Sequence, residues 1–102
     1  MKIGTGQTVY EEIMSLDIDN NPVTGVTFDT IMYRDGAADT GITVTMAIAD
    51  ASRGVYSANW SASTYGDHQL YAKNNTTSVV FVSNTVRVVP DSDLSANVYV
   101  GL

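Results

Sequence analysis

Apolar and small polar side chains alternate along several stretches of this chain. Residues 42–48 read I-T-V-T-M-A-I, and the same two-residue period returns in residues 26–33 and 54–60. Because successive side chains of a β-strand point to opposite faces, this period predicts strands that each bury one face and expose the other. The chain of 102 residues is therefore expected to form one all-β domain.

Turn signals divide the chain into about seven such strands, at a spacing typical of a two-sheet sandwich with Greek-key connections. Asp35-Gly36 and Asn74-Asn75 are turn pairs, and Pro90 ends the long β-branched stretch 78–89. That stretch indicates either one central strand or two strands broken near Ser83-Asn84. A single closed sheet is the alternative architecture.

The two ends of the chain differ in character from the predicted sandwich, residues 1–90. Residues 1–6 are predicted to be a flexible arm. Residues 8–14 are predicted to form the first strand, with Val9 and Ile13 on one face, although a helical turn over residues 10–16 is the competing interpretation.

Residues 91–102 form a C-terminal extension with one short alternating run. An apolar terminal strand behind a polar hinge can fold back onto its own sheet, or it can add to the edge of a neighbouring chain. The second alternative predicts that partners are bound by Leu94, Val98, Tyr99, Val100 and Leu102.

Charge and composition exclude several classes of function. Eleven acidic residues against five scattered basic ones give a net charge of −6. This charge disfavours binding to nucleic acids and to anionic membrane surfaces, which are themselves negatively charged. The chain has no cysteine, so it has no disulfide and no thiolate metal site, as suits a reducing cytoplasm. Its first residues lack the charged and apolar regions of a secretory signal, so none is expected.

The residues that could carry chemistry have simpler interpretations. His68 is the only histidine, and no serine lies in a G-x-S-x-G motif; we predict that His68 is a hydrogen-bonding loop residue. The segment that begins at Asp17 weakly resembles an EF-hand calcium loop. It has Pro22 where that loop needs a glycine and Phe28 where the loop needs a glutamate. An Asx turn is therefore expected. No enzyme activity, cofactor or metal is predicted.

The aromatic residues suggest one binding alternative. Tyr56 and Trp60 share a predicted face with Ala58, which indicates that they belong to the core. Tyr71 falls on the face opposite to Leu70 and is expected to be exposed. Exposed tyrosines could form a platform for sugars, so a carbohydrate-binding module is one candidate function.

Three stretches together carry a resemblance to a known family. They are N-P-V-T-G-V-T-F (residues 21–28), G-V-Y-S-A (54–58) and Y-G-D-H-Q-L-Y-A (65–72). They resemble the Ig-like β-sandwich modules of tailed-bacteriophage virion proteins and of related bacterial surface proteins, over residues 16–89. The chain lacks the cysteine pair of antibody-type domains.

The resemblance implies an Ig-like Greek-key fold and a non-enzymatic role in the virion, in a particle assembled in the host cytoplasm. With extra segments at both ends, the chain is expected to be an accessory subunit. It would be a capsid decoration (cement) protein that binds the major capsid protein or other virion subunits and forms a homo-oligomer. A tail, neck or baseplate subunit is the alternative within the same family.

Overall fold

The computed structural model describes residues 1–90. Nine strands and one 3₁₀ turn, Ala51–Arg53, make up this part of the chain. The strands are β1 (Lys2–Ile3), β2 (Val9–Met14), β3 (Phe28–Arg34), β4 (Ala37–Ala38), β5 (Thr45–Asp50), β6 (Val55–Trp60), β7 (Gly66–Asn74), β8 (Val80–Val82) and β9 (Val86–Val88). Over residues 1–90, no helix has the length and apolar character that crossing a membrane requires.

The strands form two separate sheets. The larger sheet has the order β1-β9-β7-β3-β4, with β8 also paired to β7, and the smaller sheet has the order β2-β6-β5. All pairs are antiparallel except β1 with β9, which is parallel. The predicted all-β sandwich is confirmed, and the alternative of one closed sheet is wrong because the strands of residues 1–90 divide into two separate sheets.

The connectivity is consistent with an Ig-like arrangement. The chain passes from one sheet to the other after β1, β2, β4 and β6, so four of the seven strand pairs join strands that are not consecutive in sequence. If β2, β3, β5, β6, β7 and β9 are equated with Ig strands B to G, the sheets become B-E-D and G-F-C. The two-residue β4 then takes the place of strand C′, which variable-type domains add beside C.

The core lies between the facing sheets, where the two-residue period buries every second side chain. Ala58 and Trp60 project from β6, and Leu70 and Ala72 project from β7; each is at most 3% exposed. Tyr56 is buried as well, so the predicted core face of β6 is confirmed. Burial of a leucine-sized side chain contributes about 1.5–3 kcal/mol, and such side chains hold the two sheets together.

The N-terminal segment differs from its prediction. Lys2 pairs with Arg87 and Ile3 pairs with Val88, and the Ile3 side chain is buried in the core. The prediction of a flexible arm over residues 1–6 is therefore wrong for this strand. The pairing partner lies at the far end of the described chain, where no local pattern of residues 1–6 could indicate it.

Other strand predictions are confirmed with changed boundaries. β2 is a strand, not a helical turn, and buries Val9 and Ile13 as predicted. The stretch 78–89 is divided into β8 and β9. The predicted strand 42–48 begins only at Thr45, because Asn59 of β6 pairs with Thr45 and β6 ends at the next residue. Residues 1–90 contain nine strands, not about seven. The additional strands include β1 and β4, which have only two residues each and were not predicted.

Polar contacts close one end of the sandwich. The Asn74 side chain is buried; its Nδ2 donates to Ser15 Oγ at 2.9 Å, and its Oδ1 accepts from the backbone N–H groups of Thr76 and Thr77. Ser15 Oγ in turn donates to the Val23 carbonyl oxygen at 2.6 Å. This network links β7 of the larger sheet to the segment that follows β2 of the smaller one.

Gly54 offers a direct test of the packing at this end. Its φ is 67°, and an added Cβ would clash with the carbonyl oxygen of Ser15 and lie 3.2 Å from Pro22. Gly25 has nearly the same φ, 70°, but open space around it. We expect Gly25→Ala to cost about 1–2 kcal/mol, the left-handed backbone penalty, and Gly54→Ala to cost about 3 kcal/mol or more.

Urea unfolding of both variants measures the difference. Equal losses in the two variants would contradict the close packing of the Ser15 carbonyl against Gly54.

Candidate interaction surfaces

His68 has a structural role in this fold. Its side chain is fully buried in β7, its ring stacks on Trp60 with centroids 5.6 Å apart, and its Nδ1 lies 3.1 Å from the Gly66 carbonyl oxygen. The hydrogen bond was predicted, but the loop position is wrong because His68 occupies an inward-facing strand position. A ring enclosed by the core cannot contact a substrate.

The predicted Asx turn at Asp17 is confirmed. Asp17 Oδ1 accepts hydrogen bonds from the backbone N–H groups of Asp19 and Asn21, both at 2.9 Å. One carboxylate oxygen is thus used to close the turn. Within residues 1–90, no group of three or more His, Cys, Asp or Glu side chains is placed to hold a metal ion.

An apolar row crosses the outer face of the larger sheet. Tyr71 of β7 pairs with Ile31 of β3 on one side and with Val82 of β8 on the other. Directly paired residues lie on the same face, and this face is opposite to the one that carries Leu70. Ile31 is 38% exposed and Val82 54% exposed, while Tyr71, predicted to be exposed, is half-buried between them. We call these three residues the apolar row.

Polar residues border the apolar row on both sides. Asp29 pairs with Lys73 on one side, where Lys73 also pairs with the exposed Val80 of β8. On the other side, beyond Gln69, Asp67 forms a bidentate ion pair with Arg87, with N–O distances of 2.7 and 3.2 Å. The Arg87 guanidinium lowers the pKa of Asp67 through this hydrogen bond. An apolar centre with a polar rim is the anatomy of a protein–protein contact.

An acidic groove lies beside this rim. It has a volume of about 480 Å³, and two of its lining residues are joined by a hydrogen bond in which Asp35 Oδ1 accepts from the backbone N–H of Asp67. Tyr33 and Gln69, a cross-strand pair, line its wall. The groove is lined by Tyr33, Asp35, Gly36, Asp67, Gln69 and Thr85. It combines an aromatic ring with hydrogen-bonding side chains.

The two edge strands of the smaller sheet, β2 and β5, differ in whether they carry an inward-facing charge. On β2, Glu11 pairs with Ala58 and therefore points toward the other sheet, and partial burial raises its pKa. An inward-facing charge is a common guard against strand addition, because an added strand would bury it. On β5 the only charged residue is the last one, Asp50. The edge formed by residues 42–50, which we call the β5 edge, has no such guard.

The partner-binding residues predicted in the C-terminal extension lie outside the described residues 1–90. They are Leu94, Val98, Tyr99, Val100 and Leu102. The apolar row and the acidic groove were not predicted from the sequence. Both depend on which strands pair and in which register, and alternation along one strand contains no information about its neighbour.

Comparisons with protein-family models, with curated proteins and with solved structures found no match for this chain.

Glu11 provides a pH-dependent test of the guarded edge. Burial raises its pKa in the folded state above the ordinary value of 4.5, so ionisation of Glu11 opposes folding. Its contribution is favourable below the ordinary pKa and is lost as the pH rises through the folded-state pKa. We expect Glu11→Gln to gain stability relative to the unmodified chain between about pH 4 and about pH 7.

Urea unfolding at the two pH values measures this gain, with Glu12→Gln on the exposed outer face of β2 as the matched control. A gain of the same size in both variants would show that the net charge, and not the position of Glu11, causes the effect.

Proposed function

We propose that this chain is a non-enzymatic virion structural protein, a capsid decoration (cement) protein with an Ig-like sandwich that binds and reinforces a phage shell. The observation that carries the proposal is the apolar row, because a small acidic domain exposes such a polar-rimmed patch chiefly where it contacts another protein. The strand orders of both sheets add support, since they are consistent with the Ig-like modules that the sequence resembles.

The motifs that carry the resemblance have structural roles in this sandwich. Residues 21–28 close the loop that leads into β3, residues 54–58 begin β6, and residues 65–72 cover most of β7. The side chains that could have indicated catalysis have packing or turn roles: His68 lies in the core and Asp17 closes a turn. These roles favour a scaffold that acts through its surface.

The partner is proposed to be the major capsid protein or another virion subunit. Many copies on a symmetric shell would make weak individual contacts strong through avidity. A stoichiometry on the order of hundreds of copies per particle fits the shell, whereas about a dozen or fewer fits the alternative of a tail, neck or baseplate subunit. Quantitative mass spectrometry of purified particles distinguishes the two locations.

A binding assay tests the role of the apolar row. Shells assembled without this protein are incubated with the purified chain, and the bound copies are counted. We expect Val82→Glu to reduce binding about tenfold or more, because it places a charge within the apolar contact. Ile18→Glu is the matched control: Ile18 is 97% exposed in the loop that follows β2.

Shell binding that survives Val82→Glu unchanged would contradict the proposed contact surface. Absence of the protein from purified particles would contradict the virion role itself.

The acidic groove favours carbohydrate binding as a second candidate function. An aromatic ring beside carboxylate and amide groups can stack on a sugar and accept hydrogen bonds from its hydroxyls. Tyr33 lies at the groove, whereas Tyr71 lies in the apolar row. If glycans bind, Tyr33→Ala should abolish the signal on a glycan array and Tyr71→Ala should retain it. No binding by the unmodified chain would dismiss this candidate.

A further inference from the structure

The β5 edge is open along its whole length. β5 pairs with β6 on one side, and within residues 1–90 no strand pairs with its other side. The strand T-M-A-I-A-D contains no lysine, arginine or proline, the residues that commonly protect an edge. The free main-chain donors and acceptors of such an edge are a template for an additional strand.

The side chains on the inner face of this edge are incompletely covered. Ile42, Val44 and Met46 pack against the core but are only partly buried. Ile48 faces the same way, since it pairs with Tyr56, and it is 50% exposed. A further strand with apolar side chains on its inner face would cover this flank of the core.

The sequence of residues 94–102 has the pattern that such a strand needs. Every second residue is apolar, and none of the nine carries a charge or is a proline. Residues 42–48 alternate in the same way, with apolar side chains at the even positions, and Asp50 ends β5. Nine residues of strand span about 30 Å, which is enough to pass the whole β5 edge. The apolar positions are Leu94, Ala96, Val98, Val100 and Leu102.

The other edges of the described chain are poorer acceptors. Glu11 guards β2, where an added strand would enclose its carboxylate. β1, β4 and β8, which each have a free side in the larger sheet, have only two or three residues each. Two or three residues provide too few main-chain hydrogen bonds to hold a nine-residue strand.

The linker is too short to bring residues 94–102 of the same chain alongside its own β5. Five residues join β1 to β2 and six join β4 to β5, so β5 lies on the β4 side of the sandwich. The position beyond β5 then faces β4, three strand spacings from β9 and on the other sheet, about 17 Å away. The four residue steps from Pro90 to Leu94 reach about 14 Å at most.

We propose that the β5 edge binds residues 94–102 of a second copy of this chain as an added strand. The inference rests on the proposed role as an assembly subunit and specifies how the copies join. Main-chain hydrogen bonds supply the affinity, and the even-numbered apolar side chains continue the inner face beyond Met46 and Ile48. Because donor segment and acceptor edge are different surfaces, repeated contacts generate rings or chains of subunits, or two copies exchange segments reciprocally.

Disulfide trapping tests this pairing in the full chain, which has no cysteine of its own. Ala47 pairs with Ser57 on the outer face of β5, so its direct neighbour on an added strand must be an odd-numbered residue. A chain with Ala47→Cys is mixed with a second chain in the presence of oxidised glutathione. The second chain carries one cysteine, at Ser95, Asn97 or Tyr99, or at Val98 as the even-numbered control, and each variant is tested separately. We expect at least one odd position to give about tenfold more mixed dimer than Val98→Cys.

Glu12→Cys, on the outer face of the guarded β2 edge, replaces Ala47→Cys in the matched control. Mixed dimer no more abundant with Ala47→Cys than with this control would overturn the proposal. A chain that carries both Ala47→Cys and Asn97→Cys and closes only within itself would also overturn it, since the segment would then occupy its own edge.

Native mass spectrometry provides a second measurement without cysteines. We expect the unmodified chain to form oligomers, Met46→Glu to be monomeric because its inward charge guards the edge, and Thr45→Glu on the outer face to keep the oligomers. Equal masses for both variants would contradict the proposal. These experiments use the protein in solution, so a failure here leaves the particle-binding result, which tests the virion role, unaffected.

Discussion

The packing of inward-facing side chains of β6 and β7 across the sandwich is the interaction on which the rest of the structure depends. Ala58, Leu70 and Ala72 are fully buried at this contact, and the stacked rings of Trp60 and His68 extend it. A chain without disulfides, with no metal cluster in residues 1–90, is held by this packing.

This use of the interior decides where the protein can act. Once the inward-facing residues pack the core, the outer faces, the strand edges and the ends of the chain remain for contact with other molecules. The two edges of the smaller sheet differ in charge. The inward-facing Glu11 protects β2 from strand addition, and β5 has no comparable charge. The apolar row and the β5 edge lie on different sheets, so the two proposed contacts do not compete for one surface.

Much of the fold could be predicted from the sequence because alternation is a local property. The strands over β2, β6 and β7, the buried face of β6 and the two-residue turn Asp35-Gly36 all follow from nearby residues. Pairing is not local: β1 depends on Arg87 and Val88, and the apolar row depends on the register of three strands. The burial of His68 was missed because the Tyr65-Gly66-Asp67 turn favoured a loop, whereas β7 begins within that turn.

Amide hydrogen exchange tests the central claim, that this sandwich joins its partners through an open edge, most directly. In dilute monomer, the β5 amides should exchange much faster than that of Leu70, because the edge is paired on one side only. When the chain assembles with copies of itself, the amides of β5 and of residues 94–102 should become protected together. β5 amides that are already as slow as Leu70 in the monomer, or that do not change on assembly, would contradict the account.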